Sequence, residues 1–287
     1  MTSNIEKIRK YKDCYPQLCH ASNIIKKYDD EKKTDKLDKL QQIIREYIEY
    51  LDGNMQTIGW SDAIIRKRVE LLNEYYNFIH NNQYDNLYSS QGKFRPTILE
   101  EFLFLLFKDF VGMYQKKHQA DEQLASGSVK AYSNLYFKAK SFGEFIKNPK
   151  MAVNDKDQDF AIYRKIQLSV NDRHTVNLQV PAIAIEAKTF IDKTMLDGII
   201  AAAEKVKSGN PYSMFVAVTE TYDVALGVDP VYSRIDQIYV LRKTKRKAEW
   251  ENIDTNVVLR MFHEIKDHLE RPWSDVETRL EKEGVII

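Results

Sequence analysis

The segment Ala182–Lys188, AIAIEAK, sets the narrowest limits on the fold. Ala-Ile-Ala-Ile offers no polar position, so a strand there is buried on both faces, and helices must cover the sheet on each side. Glu186 and Lys188 lie two residues apart and project from the same face of that strand. A dry strand therefore ends by aiming an acid and a base at one place.

The rest of the 287 residues supplies the cover, with length enough for one large domain or two smaller ones. Leu37, Leu40, Ile43, Ile44, Ile48 and Leu51 recur at helical spacing, and a second amphipathic stretch runs from Ser61, as N-cap, through Ile79. A polar break follows at 80–93. FRPTILEEFLFLLFKDF opens with Pro96 and Thr97 and is apolar around most of its circumference, which predicts a buried core helix. Beyond residue 125 the pattern becomes β-rich: a strand at VKAYSNLYFKA, then DFAIYRKIQLSV, a turn at NDRH, and TVNLQVPAIAIEAK as a hairpin. A helix capped by Asp192, two strands (YSMFVAVTE and IDQIYVLRK) and a helix at VVLRMFHEIKDHL complete the order. The expectation is an α/β core, residues 91–287, behind a helical N-terminal region, residues 1–90.

Charge and cysteine content narrow the function. The 43 basic and 42 acidic residues nearly cancel, so a nucleic acid would be met by a local surface rather than by the field of the whole chain. Cys14 and Cys19 are the only cysteines, which excludes a disulfide scaffold and a cysteine zinc site. The expectation is a cytoplasmic chain without membrane attachment, since no run of eighteen apolar residues and no signal-like N-terminus occurs.

A hairpin with unequal arms can bring Asp159 beside Glu186. Two carboxylates are costly to bury together unless a cation lies between them, and hard oxygen ligands suit Mg²⁺. Lys188 would then act on a water and stabilise developing negative charge, the equipment for phosphodiester hydrolysis. Asp155 and Asp157 compete with Asp159 for the role.

Asp, a gap, then Glu-x-Lys on a buried strand resembles the PD-(D/E)XK nuclease superfamily, although Gln158 stands where that pattern has proline. The run RPTILEEF, KDQDF, VPAIAIEAK, MLDG…AAEKVK…PY and IDQIYVLRK, residues 95 to 243, resembles the BbvCI-like type II restriction endonucleases. The resemblance implies a restriction-endonuclease-like core, a mixed sheet flanked by helices. It further implies Mg²⁺-dependent cleavage of double-stranded DNA at short sites with a CTNAG core, in a bacterial cytosol. A homodimer, or a heterodimer with a related subunit, is implied as well. Asp159, Glu186 and the carbonyl of Ala187 would hold the metal, Lys188 would position the attacking water, and Glu101, directly before the phenylalanine of LEEF, would complete the acidic cluster. Two alternatives are a repair or defence nuclease with the same core and a non-catalytic DNA-binding subunit.

Ordinary readings exist for each residue. Glu186 and Lys188 taken alone are a strand-end salt bridge, and Glu100 or Glu101 in a helix's first turn is favoured by the dipole whatever its function. The basic clusters IRKR (65–68), KKH (116–118) and RKTKRK (242–247) are candidate phosphate contacts, of which the last directly follows a core strand. The loops NNQYDN and NDRHTVN carry side chains suited to base readout. The six histidines show no metal spacing.

Overall fold

A computed structural model describes residues 2–31, 34–86, 94–120, 123–170, 174–271, 273 and 276–284. Four helices come first: α1 (Thr2–Cys14), α2 (Cys19–Asp30), α3 (Thr34–Gln56) and α4 (Asp62–Asn81). The break between α1 and α2 falls at Tyr15–Leu18, where Pro16 cannot donate a helical hydrogen bond. After the long helix α5 (Pro96–His118) come β1 (Leu124–Lys138), the short α6 (Phe142–Lys147), β2 (Lys150–Val170), β3 (His174–Ile191) and α7 (Lys193–Gly209). β4 (Met214–Tyr222), β5 (Gln237–Val240), α8 (Thr255–Glu270) and α9 (Val276–Glu283) follow. Ser61 holds the N-cap position of α4 but makes no side-chain cap bond, whereas Asp192 caps α7 by accepting from the Met195 amide at 2.8 Å.

The sheet order is β1-β2-β3-β4-β5. β1, β2 and β3 form an antiparallel meander, while β3, β4 and β5 run parallel. The change of sense comes from α7, a crossover long enough to return the chain to the start of a parallel neighbour. Ile183 and Ile185 of β3, with Val216 and Val218 of β4, pack with Phe102, Phe107 and Phe262 of α5 and α8. That core continues through Leu40, Tyr47, Ile65 and Leu72, so α3 and α4 share it with the sheet. On the other face the small side chains Ala161, Ala184 and Ala217 meet Leu196, Ile199, Ala203 and Val206 of α7. Gly209 permits the closest approach on that side, because a Cβ there would lie 2.5 Å from the Ser133 carbonyl oxygen. Alternating isoleucine and alanine in AIAIEAK thus fits a thick helical layer on one side and a single close-packed helix on the other.

The expected boundary between residues 90 and 91 lies outside the described residues, as do residues 171–173 of the expected NDRH turn. Among the described residues no helix is long and apolar enough to cross a membrane.

One irregularity positions the site. Gly127 pairs with Ala161, but Val129 pairs with Gln158, so β2 carries one extra residue at 159–160. Opposite that bulge Gly127 has φ +134°, a region closed to most side chains. A bulge re-aims the residues around it. Phe160 stacks on Phe107 of α5 at 5.8 Å, Asp159 faces the α7 side by ordinary alternation, and the extra residue brings Lys156, three positions earlier, to that same side.

Candidate active site

The pairing Phe160↔Ile185 sets Asp159 of β2 beside Glu186 of β3. Glu186 and Lys188 project from the same face as Ala184, towards α7. The Lys188 Nζ donates to Asp159 Oδ2 at 2.7 Å, to Glu186 Oε2 at 2.8 Å and to the Ala187 carbonyl at 3.1 Å. An ammonium has three N–H donors, so all are engaged. The Ala187 amide also donates to Asp159 Oδ2 at 2.9 Å, which ties the two strands together at the carboxylate. Lys156, turned to this side by the bulge, stands 3.8 Å from the other oxygen of Glu186. The side chains of Asp159 and Lys188 keep 28% and 30% of their exposure, Glu186 only 9%, so the cluster opens to solvent over a buried base. Asp155 and Asp157 are exposed on β2.

Burial pushes the Glu186 carboxyl up; Lys188 opposes that shift and the neighbouring Asp159 adds to it. Burial alone would lower Lys188, but the two carboxylates outweigh it and raise the amine above its ordinary value. Lys188 is therefore a firmly charged ammonium, a donor rather than a base in this arrangement.

Glu101 is not brought to this cluster. It is fully buried on the α5 side, where its Oε2 accepts from the amides of His20 and Ala21 at 2.9 and 3.0 Å and its Oε1 from the Tyr47 hydroxyl at 2.7 Å. Those amides belong to the first turn of α2, whose N-cap residue, Leu18, has no side-chain acceptor. Glu101 thus caps α2 from a different helix and meets the positive end of its dipole. Burial raises its pKa to about 7 against the lowering effect of the Tyr47, Ala21 and His20 hydrogen bonds.

A second charged cluster went unrecognised in the sequence. Glu220, fully buried at the end of β4, receives Arg95 from the start of α5 (2.8 Å) and Arg242 from the end of β5 (3.0 Å). Its signal was the one carried by Glu186: an acid closing a dry strand, FVAVTE. Arg242 belongs to RKTKRK, so that cluster divides: Arg242 is buried, Lys243 pairs with Asp254, and Lys245, Arg246 and Lys247 are exposed. Of IRKR, Arg68 is buried and bound to Asp109 and to the carbonyls of Leu105 and Thr57, and Lys67 pairs with Glu70. KKH forms the last turn of α5, where positive charge suits the dipole.

Three oxygens, from Asp159, Glu186 and Ala187, already converge on one cationic centre, the ammonium of Lys188. That donor set is the hard-oxygen kind that divalent cations of the Mg²⁺ class accept, with solvent access for further ligands. Among the described residues no three His, Cys, Asp or Glu side chains group to hold a metal, so two carboxylates and a carbonyl are the set available.

Comparison with known proteins bears on this geometry. The family model described as Bpu10I restriction endonuclease matches residues 91–252, more than half of the chain. No curated protein matches at a significant level. A solved structure described as the native BbvCI A2B2 tetramer at low resolution superposes with a TM-score of 0.65 at 20% identity. The match covers 90% of this chain and 99% of that one.

Proposed function

Because the chain belongs to the Bpu10I restriction endonuclease family, and so to the type II site-specific deoxyribonucleases, we propose that Asp159, Glu186 and Lys188 form its phosphodiesterase site. The observation that carries this reading is the Lys188 ammonium held within 3.1 Å of three oxygens at the open end of a buried strand. Asp159, Glu186 and the Ala187 carbonyl would hold Mg²⁺, the hard-oxygen set that now surrounds the ammonium. Bound there, the cation supplies Lewis acidity towards the phosphate and favours ionisation of the attacking water. With a cation on those oxygens, the Lys188 ammonium would be free to orient the attacking water by a hydrogen bond, without transferring a proton to it, or to stabilise the charge that develops on a phosphate oxygen. Asp159 is fixed by the Ala187 amide and Glu186 by its burial, so neither carboxylate needs to reorganise when the substrate arrives. Glu101 acts outside the reaction, as the clasp between α5 and α2.

The proposed substrate is double-stranded DNA carrying a CTNAG-type site, cut in a bacterial cytosol. One chain presents one such cluster, and cutting both strands calls for two. The BbvCI structure, described as A2B2, supports an assembly of this chain with itself or with a related subunit. The β1–α6–β2 turn leaves Phe137, Phe142, Phe145 and Ile146 at 49–77% exposure, an apolar surface that such a related chain would cover.

Incubation of the purified chain with Mg²⁺ and supercoiled plasmid bearing CTNAG-type sites tests the reading. Discrete linear fragments indicate a homomeric enzyme, and open circles indicate a subunit that nicks one strand. Intact plasmid under specific gel retardation would overturn the hydrolytic role.

A further inference from the structure

Beyond Lys188, β3 continues into Thr189 and Phe190, and both line a cavity of about 750 Å³ that is separate from the cluster of Asp159, Glu186 and Lys188. At ~3.3 Å per strand residue, Phe190 lies about 7 Å past Lys188 along β3. Part of the wall is rigid. Trp250 stacks on His80 at 4.0 Å and 7°, and the Arg242 guanidinium lies 3.8 Å from the Trp250 ring centre. Arg95 and Arg242 are committed to Glu220, and Arg95 also neutralises Asp85 at 3.1 Å.

Two cations of the lining are not so committed. Arg246 lies with its guanidinium 3.6 Å from the centre of the Phe190 ring, and no carboxylate pairs with it or with Lys245 among the described residues. Stacking uses the face of a guanidinium and leaves its N–H edge free, the edge that matches phosphate oxygens. Phe190 therefore holds Arg246 in place without neutralising it. We infer that Lys245 and Arg246, beside Phe190 in this cavity, bind the DNA backbone next to the scissile phosphate; the inference rests on the nuclease reading of Asp159, Glu186 and Lys188. Exposed Glu249 and Glu251 share the lining and oppose a polyanion, so binding depends on those two cations rather than on a broad basic field.

Fluorescence anisotropy of a labelled duplex, in chelator and across a salt series, reads this binding without chemistry. For Lys245→Ala/Arg246→Ala the slope of log affinity against log salt falls by about 0.9 for each phosphate the variant no longer neutralises. Affinity falls equally on specific and unrelated duplexes, because the phosphate backbone carries no sequence information. In Mg²⁺ the same variant shows a raised KM with kcat retained, the mark of weakened binding with the chemistry intact. Lys247→Ala removes one positive charge, against two in the double variant, from a neighbour that does not line the cavity, and its slope changes by less than half as much. Glu249→Gln/Glu251→Gln tightens the complex. The inference is overturned if the double cation variant keeps the wild-type slope and KM, if Lys247→Ala changes the slope by half as much as that variant or more, or if the glutamine pair weakens binding. A wild-type chain that binds DNA with this slope but never cleaves it would overturn the nuclease reading and leave the backbone site standing.

Discussion

Glu186 and Glu220 close neighbouring buried strands, three residues apart in the β3–β4 register, yet their surroundings differ in kind. Glu220 is fully buried and gripped by two planar guanidiniums, with Arg242 further packed against Trp250 and Tyr76. Glu186 shares the flexible Lys188 ammonium with Asp159 at an opening to solvent, with the Lys156 ammonium 3.8 Å from its other oxygen. A guanidinium fork in a closed site is a permanent fastening, here of α5 and the β5–α8 segment to the sheet. Lysine ammoniums at a wet rim, on flexible stems, are by comparison a loose hold. Two similar acids at two similar strand ends are thus a clamp and a proposed reaction site, and the difference lies in which cations each holds.

The largest expected effect separates the two directly. Glu186→Gln lowers the single-turnover cleavage rate by about a thousandfold, roughly 4 kcal/mol of transition-state stabilisation, while the thermal midpoint stays near wild type. Glu220→Ala does the converse. Removing the acid leaves two confined guanidiniums unpaired, a loss of about 3–5 kcal/mol in urea unfolding, while the chains that remain folded still cleave. If Glu220→Ala stopped cleavage in fully folded protein, the division between clamp and site would fail.

Glu101 gives a third, smaller contrast. Its folded pKa of about 7 lies above the ordinary 4.5, so between those values the unfolded chain releases a proton that the folded chain keeps. Its contribution to stability is full below about pH 4.5 and declines by ~1.4 kcal/mol per unit as pH rises to about 7, then levels off. Chemical denaturation across that range should show this component in the wild type and its absence in Glu101→Gln, which also keeps cleaving. The smallest effects belong to Asp155→Asn and Asp157→Asn, exposed neighbours that should change stability by less than about 0.5 kcal/mol and leave cleavage unaltered.

Much of this was legible because local chemistry and tertiary place agreed. AIAIEAK announced its two covered faces, and the alternation of alanine with isoleucine corresponds to two layers of different thickness. Asp159 could be set beside Glu186 from the hairpin alone. The bulge at 159–160, which brings Lys156 to the side of Asp159, was not legible, since it depends on pairing with β1 and on Gly127 opposite. Glu101 was assigned from its place beside Phe102, but one helical step decides which face a residue occupies, and its partners lie eighty residues away in α2. RKTKRK looked like one basic run, whereas the end of β5 buries its first arginine and leaves only the later cations exposed. Packing between distant segments made each of these distinctions, and no local pattern encodes them.

Lys188 is proposed to occupy the place of an exchangeable divalent cation. Isothermal titration of Mg²⁺ into the wild-type chain, Lys188→Met and Glu186→Gln tests it most directly. Binding is expected to be tighter to Lys188→Met, where the competing ammonium is gone, and absent from Glu186→Gln. Equal affinity in all three proteins would contradict it.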